Sequence, residues 1–116
     1  MATIKSYTTK EQSRKLAKIL PIESADMRYQ ACYDSRNNLK YIPKFVSTII
    51  PLKADIPCWS LAALLGVLPD YTLQTNTDGT VFVVCESKKP IMSDAYDNPL
   101  DACVDMITKL HEMNLL

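Results

Sequence analysis

The chain has 116 residues, of which 47% are hydrophobic and 22% charged, so it has the size and composition of one globular domain spanning residues 1–116. It contains no apolar run near the roughly 18 residues that a membrane span needs, and residues 1–7 read as a loose polar arm without a signal core. These features predict a cytoplasmic protein with no membrane partner.

The 13 basic and 13 acidic residues are unevenly distributed along the chain. Residues 1–58 hold ten basic and five acidic residues, whereas residues 59–116 hold three and eight. We expect the oppositely charged halves to attract each other within one fold or across an oligomer interface. The alternative is that the basic half binds an anionic partner.

The first predicted element is a helix over residues 9–20. A capping box is available from Thr8 with Glu11 or from Thr9 with Gln12. A proline directly after residue 20 ends the helix. The expected buried stripe consists of Leu16, Ile19 and Leu20.

Alternating apolar and polar side chains predict a strand over residues 27–34, followed by a turn at residues 35–38. A second strand over residues 39–42 leads into Pro43, which cannot donate a backbone hydrogen bond and therefore favours a sheet edge or irregular structure. Residues 45–50 match a short helix as well as a strand.

The most apolar stretch, residues 56–69, predicts a central buried helix over residues 57–68. Pro57 suits the first helical position because its missing N–H would be unpaired there. Four leucines follow the i, i+3, i+4, i+7 spacing of one helical face, namely Leu61, Leu64, Leu65 and Leu68. We expect these leucines and Trp59 to be buried beneath a β layer.

Residues 71–75 and 80–86 are predicted to pair as a hairpin, because the Asp-Gly in the loop between them favours a tight turn with positive φ. The second of these strands is apolar without alternation, so both its faces should be covered, one of them by the leucine-rich helix. Residues 91–97 are expected to form a loop or a short edge strand.

A final helix is predicted over residues 99–113, with Asn98 as N-cap, Pro99 in the first position and Asp101 in the first turn. Its expected apolar stripe is Leu100, Cys103, Val104, Ile107, Leu110 and Met113. The predicted fold class is therefore α+β, with a small antiparallel sheet of three or four strands, including the hairpin at about 71–86, packed with helices at about 9–20, 57–68 and 99–113.

The pattern of cysteines does not favour a catalytic or metal-binding site. The four cysteines, Cys32, Cys58, Cys85 and Cys103, form no Cys-x-x-Cys pair, and we expect reduced buried thiols in preference to two disulfides. Cys58 is the best candidate nucleophile, since the first turn of a helix lowers a thiol pKa, but packing beside Trp59 is the favoured interpretation. His111 lies in the last helical turn, where a cation needs no catalytic role.

Other catalytic and ligand sites are also disfavoured. With only two glycines, the chain lacks a Gly-rich phosphate loop, and the carboxylate pairs Asp94/Asp97 and Asp101/Asp105 are expected on exposed surface unsuited to a metal. We therefore predict no catalytic residue, no cofactor and no metal. The tyrosines Tyr29, Tyr33, Tyr41, Tyr71 and Tyr96 are expected to pack at the edge of the core, with an interface as the alternative.

The basic half contains a candidate face for an anionic partner, and nucleic acid is the partner considered. Its members are Arg14, Lys15, Lys18, Arg36, Lys40 and Lys44. A solvated helix face is the favoured interpretation of the first three, because no aromatic residue is interleaved to stack a base.

Three motifs carry a resemblance to a group of proteins: Ser24-Ala25-Asp26-Met27-Arg28-Tyr29, the Ile56–Leu61 stretch with its following leucines, and Asn98-Pro99-Leu100-Asp101-Ala102. In order and spacing the chain resembles small uncharacterised proteins of Bacteroides-group gut bacteria and their phages or mobile elements. The resemblance implies a bacterial or phage origin and a cytoplasmic setting. It implies no activity and no functional residue.

Three functional hypotheses follow. The first is a non-enzymatic interaction module that contacts another protein or a second copy of itself through a sheet face, a sheet edge or a helix face. The second is a nucleic-acid-binding accessory protein that uses the basic N-terminal half. The third is a small thiol enzyme that uses Cys58.

Overall fold

The computed structural model describes residues 5–45, 55–86 and 89–116. In this part of the chain there are three α-helices and two antiparallel three-stranded sheets, which confirms the predicted α+β class while dividing the strands between two sheets. The chain forms two compact units, an N-terminal unit of Tyr7–Ala63 and a C-terminal unit of Leu64–Leu116 with Met1–Ser6. None of the described helices has the length and apolarity to cross a membrane.

The N-terminal unit is built around a sheet with strand order β2-β1-β3. Its elements are α1 (Lys10–Leu16), a 3-10 turn (Ile22–Ser24), β1 (Met27–Tyr33), β2 (Leu39–Phe45) and β3 (Ile56–Cys58). Of the two capping boxes available in the sequence, α1 uses Thr9 with Gln12. The helix ends at Leu16, earlier than predicted. The chain continues in turns as far as Leu20, whose N–H donates to the Leu16 carbonyl (2.8 Å).

The predicted start of the leucine-rich helix at Pro57 is wrong. Pro57 and Cys58 lie in β3, which pairs with β1, and the helix α2 (Leu61–Val67) begins after them. Ser60 caps this helix, since its Oγ accepts from the Ala63 N–H (3.2 Å). The fixed φ of proline suits an extended edge strand as well as a first helical turn, so the serine and not the proline marks the boundary.

The leucine-rich segment is buried less completely than predicted. Trp59 and Leu64 are fully buried and Leu68 nearly so, whereas Leu61 and Leu65 are only half-buried. The helix is seven residues long, and Ala62 and Gly66 on it face solvent. The i, i+3, i+4, i+7 spacing therefore predicted the helix type correctly and overstated its buried surface.

The C-terminal unit has the strand order β4-β5-β6, with α3 packed on β5. Its elements are β4 (Tyr71–Thr75), β5 (Val81–Cys85), β6 (Ile91–Met92) and α3 (Pro99–Glu112). The predicted hairpin is confirmed, and Gly79 at its turn has φ of 89°. The main helix contact of β5 is α3, and cover of its other face by the leucine-rich helix stays a prediction.

The helix α3 is the best predicted element. The Asn98 side chain accepts from the Asp101 N–H (2.9 Å), and Pro99 occupies the first turn as expected. Its buried residues are Leu100, Ala102, Cys103, Met106, Ile107 and Leu110. Val104 is half-buried and Met113, which lies beyond the helix end, is exposed.

Two predictions concern the margins of the described chain. The choice between helix and strand for residues 45–50 falls largely outside the described residues, apart from Phe45, which ends β2. In the predicted loose arm, Lys5 forms an ion pair with Asp101 (2.7 Å) and Tyr7 forms a β-bridge with Ser60. The single domain predicted for residues 1–116 stays a prediction.

Candidate functional site

Cys58, the candidate nucleophile, is held in a buried polar cluster centred on Thr8. Both residues are fully buried. The Thr8 hydroxyl donates to Cys58 Sγ (3.6 Å), and the thiol in turn lies 3.5 Å from the Thr8 carbonyl. The same hydroxyl bonds Ser13 Oγ (2.8 Å) and accepts from the Trp59 N–H (3.1 Å), so it joins α1 to the end of β3.

This cluster disfavours thiolate chemistry. Burial is the main cause that raises the pKa of the Cys58 thiol, so the neutral form is favoured. Tyr29 beside it donates to the Thr8 carbonyl (2.6 Å), and burial raises its pKa to about 12. Cys58 also lies in a strand and not in the first turn of a helix, where the sequence placed it. The geometry fits a structural role for this thiol.

The other thiols are free as well, and two of them are buried against the C-terminal core. Burial raises the pKa of Cys85, and it raises that of Cys103 to about 12. No cluster of three or more potential metal-ligating side chains occurs within residues 5–45, 55–86 and 89–116.

The carboxylate pairs singled out in the sequence take part in structural contacts. Asp101 pairs with Lys5 and accepts from the Asn98 amide (2.9 Å). Asp105 accepts from the Asp94 N–H (2.8 Å), and both carboxylates lie 3.2 Å from the ammonium of Lys109. These contacts tie the loop before α3 to the helix.

The six cations of the candidate anionic-partner face lie on different elements of the N-terminal unit. Arg14, Lys15 and Lys18 are exposed on or just after α1, and Arg36 is exposed in the β1–β2 turn. Helix α1 covers the sheet face that carries Tyr41, because the Lys10 ammonium lies 5.4 Å from the centroid of that ring.

The two cations on β2 belong to the opposite side of this sheet. Lys40 and Lys44 occupy the even positions of β2, and the pleat turns even positions away from the face of Tyr41. Lys40 also lies 3.6 Å from the Asp34 carboxylate. The sheet therefore stands between these two cations and those of α1.

The tyrosines have divergent environments. Tyr29 is buried and meets Tyr7 edge-on at 6.2 Å, whereas Tyr33 at the end of β1 is 71% exposed. Tyr71 on β4 is 38% exposed. Packing at the core edge therefore describes some of these rings, and Tyr33 and Tyr71 remain available for contact.

The sheet edges differ in their ability to accept another strand. At the turn end of the β1–β2 hairpin the Asp34 N–H donates to the Asn38 carbonyl (3.0 Å). Even positions of this hairpin therefore pair with each other, and the backbone groups at odd positions of β2 point to the side without a described strand. Pro43 is one of these outward residues and has no N–H to offer. Lys40 and Lys44 flank it, and lysine and proline are the residues that protect natural edges from pairing.

Two further edges are also poorly suited to an added strand. Pro57 stands opposite Arg28, whose backbone is directed to β2, so the missing N–H of Pro57 lies on the open side of β3. At the far side of the other sheet, β6 is only two residues long. Short strands and prolines both limit strand addition.

The edge of β4 has none of these protective features. Its five residues include no proline and no charge, and all five are exposed. The Asn76 N–H donates to the Thr80 carbonyl (2.8 Å) and the Glu86 N–H to the Asp70 carbonyl (2.9 Å), so even positions of the hairpin pair internally. The N–H and C=O groups of Tyr71, Leu73 and Thr75 consequently face the side of β4 on which no described strand lies, which is called its open side below.

Apolar side chains accompany these backbone groups. Tyr71 and Leu73 stand opposite Cys85 and Val83, both buried, yet they remain 38% and 41% exposed. At the start of the strand lies a cleft of about 480 Å³, lined by Leu68, Asp70, Tyr71, Thr72 and Glu86. The sequence analysis missed this site, although its signal is visible as a run of five uncharged residues without proline.

The comparisons with known proteins give no family for this chain. No protein-family model matches it, and neither the curated proteins nor the solved structures contain a significant match.

Proposed function

We propose that this protein is a non-enzymatic interaction module that binds an extended segment of a partner protein along the open edge of β4. The observation that carries the proposal is the contrast between edges within one chain. Prolines and lysines interrupt the edges of the N-terminal sheet, whereas β4 presents an uninterrupted, uncharged edge. An unprotected edge of this kind is a template for strand addition.

The expected complex extends the sheet by one strand. Three outward residues offer three N–H and three C=O groups, and each hydrogen bond formed contributes a net stabilisation of about 0.5–1.5 kcal/mol. The side chains of Tyr71 and Leu73 add apolar contact. After the entropy cost of association, we expect a dissociation constant between roughly 1 µM and 1 mM, which is typical of a transient interaction.

The proposal is tested with displayed octapeptides selected on the full-length protein. Selected peptides are titrated into the labelled protein, and we expect the amide signals of Tyr71, Leu73 and Thr75 to shift most. Leu73→Pro should abolish binding, because it removes an outward N–H that would donate to the peptide. This N–H takes no part in the hydrogen bonds between β4 and β5. Leu73→Thr keeps that N–H and should weaken binding only partly.

The matched control is Ile42→Thr on β2, which removes an apolar side chain of similar exposure from the other hairpin (45% against 41% for Leu73). It should leave peptide affinity unchanged. Failure to select any peptide would contradict the proposal, as would peptides that bind Leu73→Pro as tightly as the unaltered chain.

The bacterial or phage setting implied by the resemblance is retained as part of this proposal. Nucleic-acid binding is not carried forward, because the sheet separates the cations of α1 from those of β2. A thiol enzyme is likewise disfavoured by the burial of Cys58.

A further inference from the structure

We infer that the segment bound along β4 runs antiparallel to it and carries an arginine or lysine at its C-terminal end. This inference rests on the proposed function and names the chemistry of the partner. It follows from the charges around β4 and from the cleft at the start of the strand.

Two acidic residues lie opposite each other at that end of the edge. Asp70 and Glu86 are joined by the backbone hydrogen bond that opens the hairpin (2.9 Å), and both are exposed. Like charges directly opposite on a sheet are destabilising. Neither carboxylate forms an ion pair with another described residue, so a cation supplied by a partner would relieve their repulsion.

The cleft beside them suits a long basic side chain. Leu68 and Tyr71 line the cleft and offer apolar contact to the methylene stem, and Asp70 and Glu86 line the same cleft and offer carboxylates to its cationic group. A guanidinium can make bidentate hydrogen bonds to carboxylate oxygens and can also stack on a tyrosine ring. An arginine side chain can therefore make more hydrogen bonds and ring contacts in this cleft than a lysine side chain can.

The charge of the whole unit favours the same partner. The C-terminal unit holds eight acidic and four basic residues, for a net charge of −4, whereas the strand β4 itself is neutral. A basic segment is thus attracted to this unit before the strands pair.

The direction of the partner strand decides where its cation must lie. Both sheets of the protein are antiparallel, and antiparallel pairs outnumber parallel ones roughly two- to three-fold. In an antiparallel complex the C-terminal end of the partner lies beside Asp70, where β4 begins.

The test uses synthetic octapeptides of alternating valine and threonine, acetylated and amidated so that their termini are uncharged. One peptide has arginine as its last residue, a second has glutamine there, and a third has arginine as its first residue. We expect the first to bind the full-length protein about tenfold more tightly than the other two at low salt. The advantage should shrink at 0.5 M NaCl and disappear in the double variant Asp70→Asn with Glu86→Gln.

Each other result would overturn the inference in a distinguishable way. If the three peptides bind with equal affinity and Leu73→Pro abolishes that binding, the preference for a basic residue is refuted. The proposed binding at the edge of β4 then still stands. Tighter binding of the peptide with arginine first would place the strand in the parallel direction. If light scattering shows a dimer and Leu73→Pro converts it to a monomer, the edge of β4 is occupied by a second copy of the chain and not by a basic segment of another protein. Absence of binding by every peptide would refute the proposed function as well.

Discussion

Replacing Thr8 by valine removes one hydroxyl from the centre of the N-terminal unit while preserving the shape of the side chain. The Trp59 N–H then loses its acceptor at 3.1 Å inside a fully buried cluster. A buried donor left without a partner costs about 1–3 kcal/mol. The Ser13 hydroxyl also loses its partner at 2.8 Å, but it can turn to a carbonyl of the preceding helical turn, so its contribution is smaller.

We therefore expect Thr8→Val to lower the free energy of unfolding by about 2 kcal/mol. With a urea dependence of about 2 kcal/mol per M, the midpoint falls by about 1 M. Trp59 is the only tryptophan and is fully buried, so its fluorescence in a urea titration reports the unfolding of this unit.

The matched control is Thr72→Val, which removes the same hydroxyl from an exposed position on β4 and should change stability by less than about 0.5 kcal/mol. Combining Thr8→Val with Ser13→Ala should cost less than the sum of the two single changes, because they break one shared bond. A midpoint for Thr8→Val that matches the Thr72→Val control would refute the role assigned to the buried cluster.

Three further predictions follow from burial and capping. Iodoacetamide should modify the half-buried Cys32 well before the buried Cys58 in the folded protein, as mass spectrometry of timed samples would show; equal rates would revive the thiol-enzyme hypothesis. Because burial raises the pKa of Tyr29 from 10 to about 12, the stability it confers is complete below pH 10 and is lost as the pH rises towards 12, at up to about 1.4 kcal/mol per pH unit. Urea titrations between pH 9 and 11 should show a smaller decline for Tyr29→Phe than for the unaltered chain. Asn98→Ala should destabilise the protein by about 1–2 kcal/mol in thermal or urea unfolding, whereas Asn98→Ser should retain most of the stability; equal losses would exclude the capping role.

Local signals predicted several elements because their causes lie within a few residues. The capping box at Thr9, the Asn98 cap and the hairpin turn at Gly79 each satisfy backbone groups in their own neighbourhood. At Pro43 the sequence left a sheet edge and irregular structure as alternatives, and β2 takes the first of these.

Features that depend on distant partners were harder to predict. The segment at Pro57 is a strand because it pairs with β1, about 30 residues earlier, and apolar content alone does not distinguish such a strand from a helix start. The division of the strands into two sheets depends on which strands meet, and periodicity carries no information about that.

The candidate site was missed for a related reason. A search for reactive side chains passes over β4, whose relevant groups are the backbone amides and carbonyls of Tyr71, Leu73 and Thr75. Only the hydrogen-bond register of the hairpin reveals that these groups point outward. Had strand edges been compared for proline and charge, the sequence would have indicated the same place.

Under the proposed function, the two prolines at the edges of the N-terminal sheet would limit where a partner strand can be added. Growth of a fibril or of an open-ended assembly by strand addition needs a receptive edge at each end of the repeating unit. Because Pro43 and Pro57 remove outward donors from their edges and β6 is very short, the described strands leave a single receptive edge. Under the proposed function, a partner strand would therefore be added at β4 and at none of the other described edges.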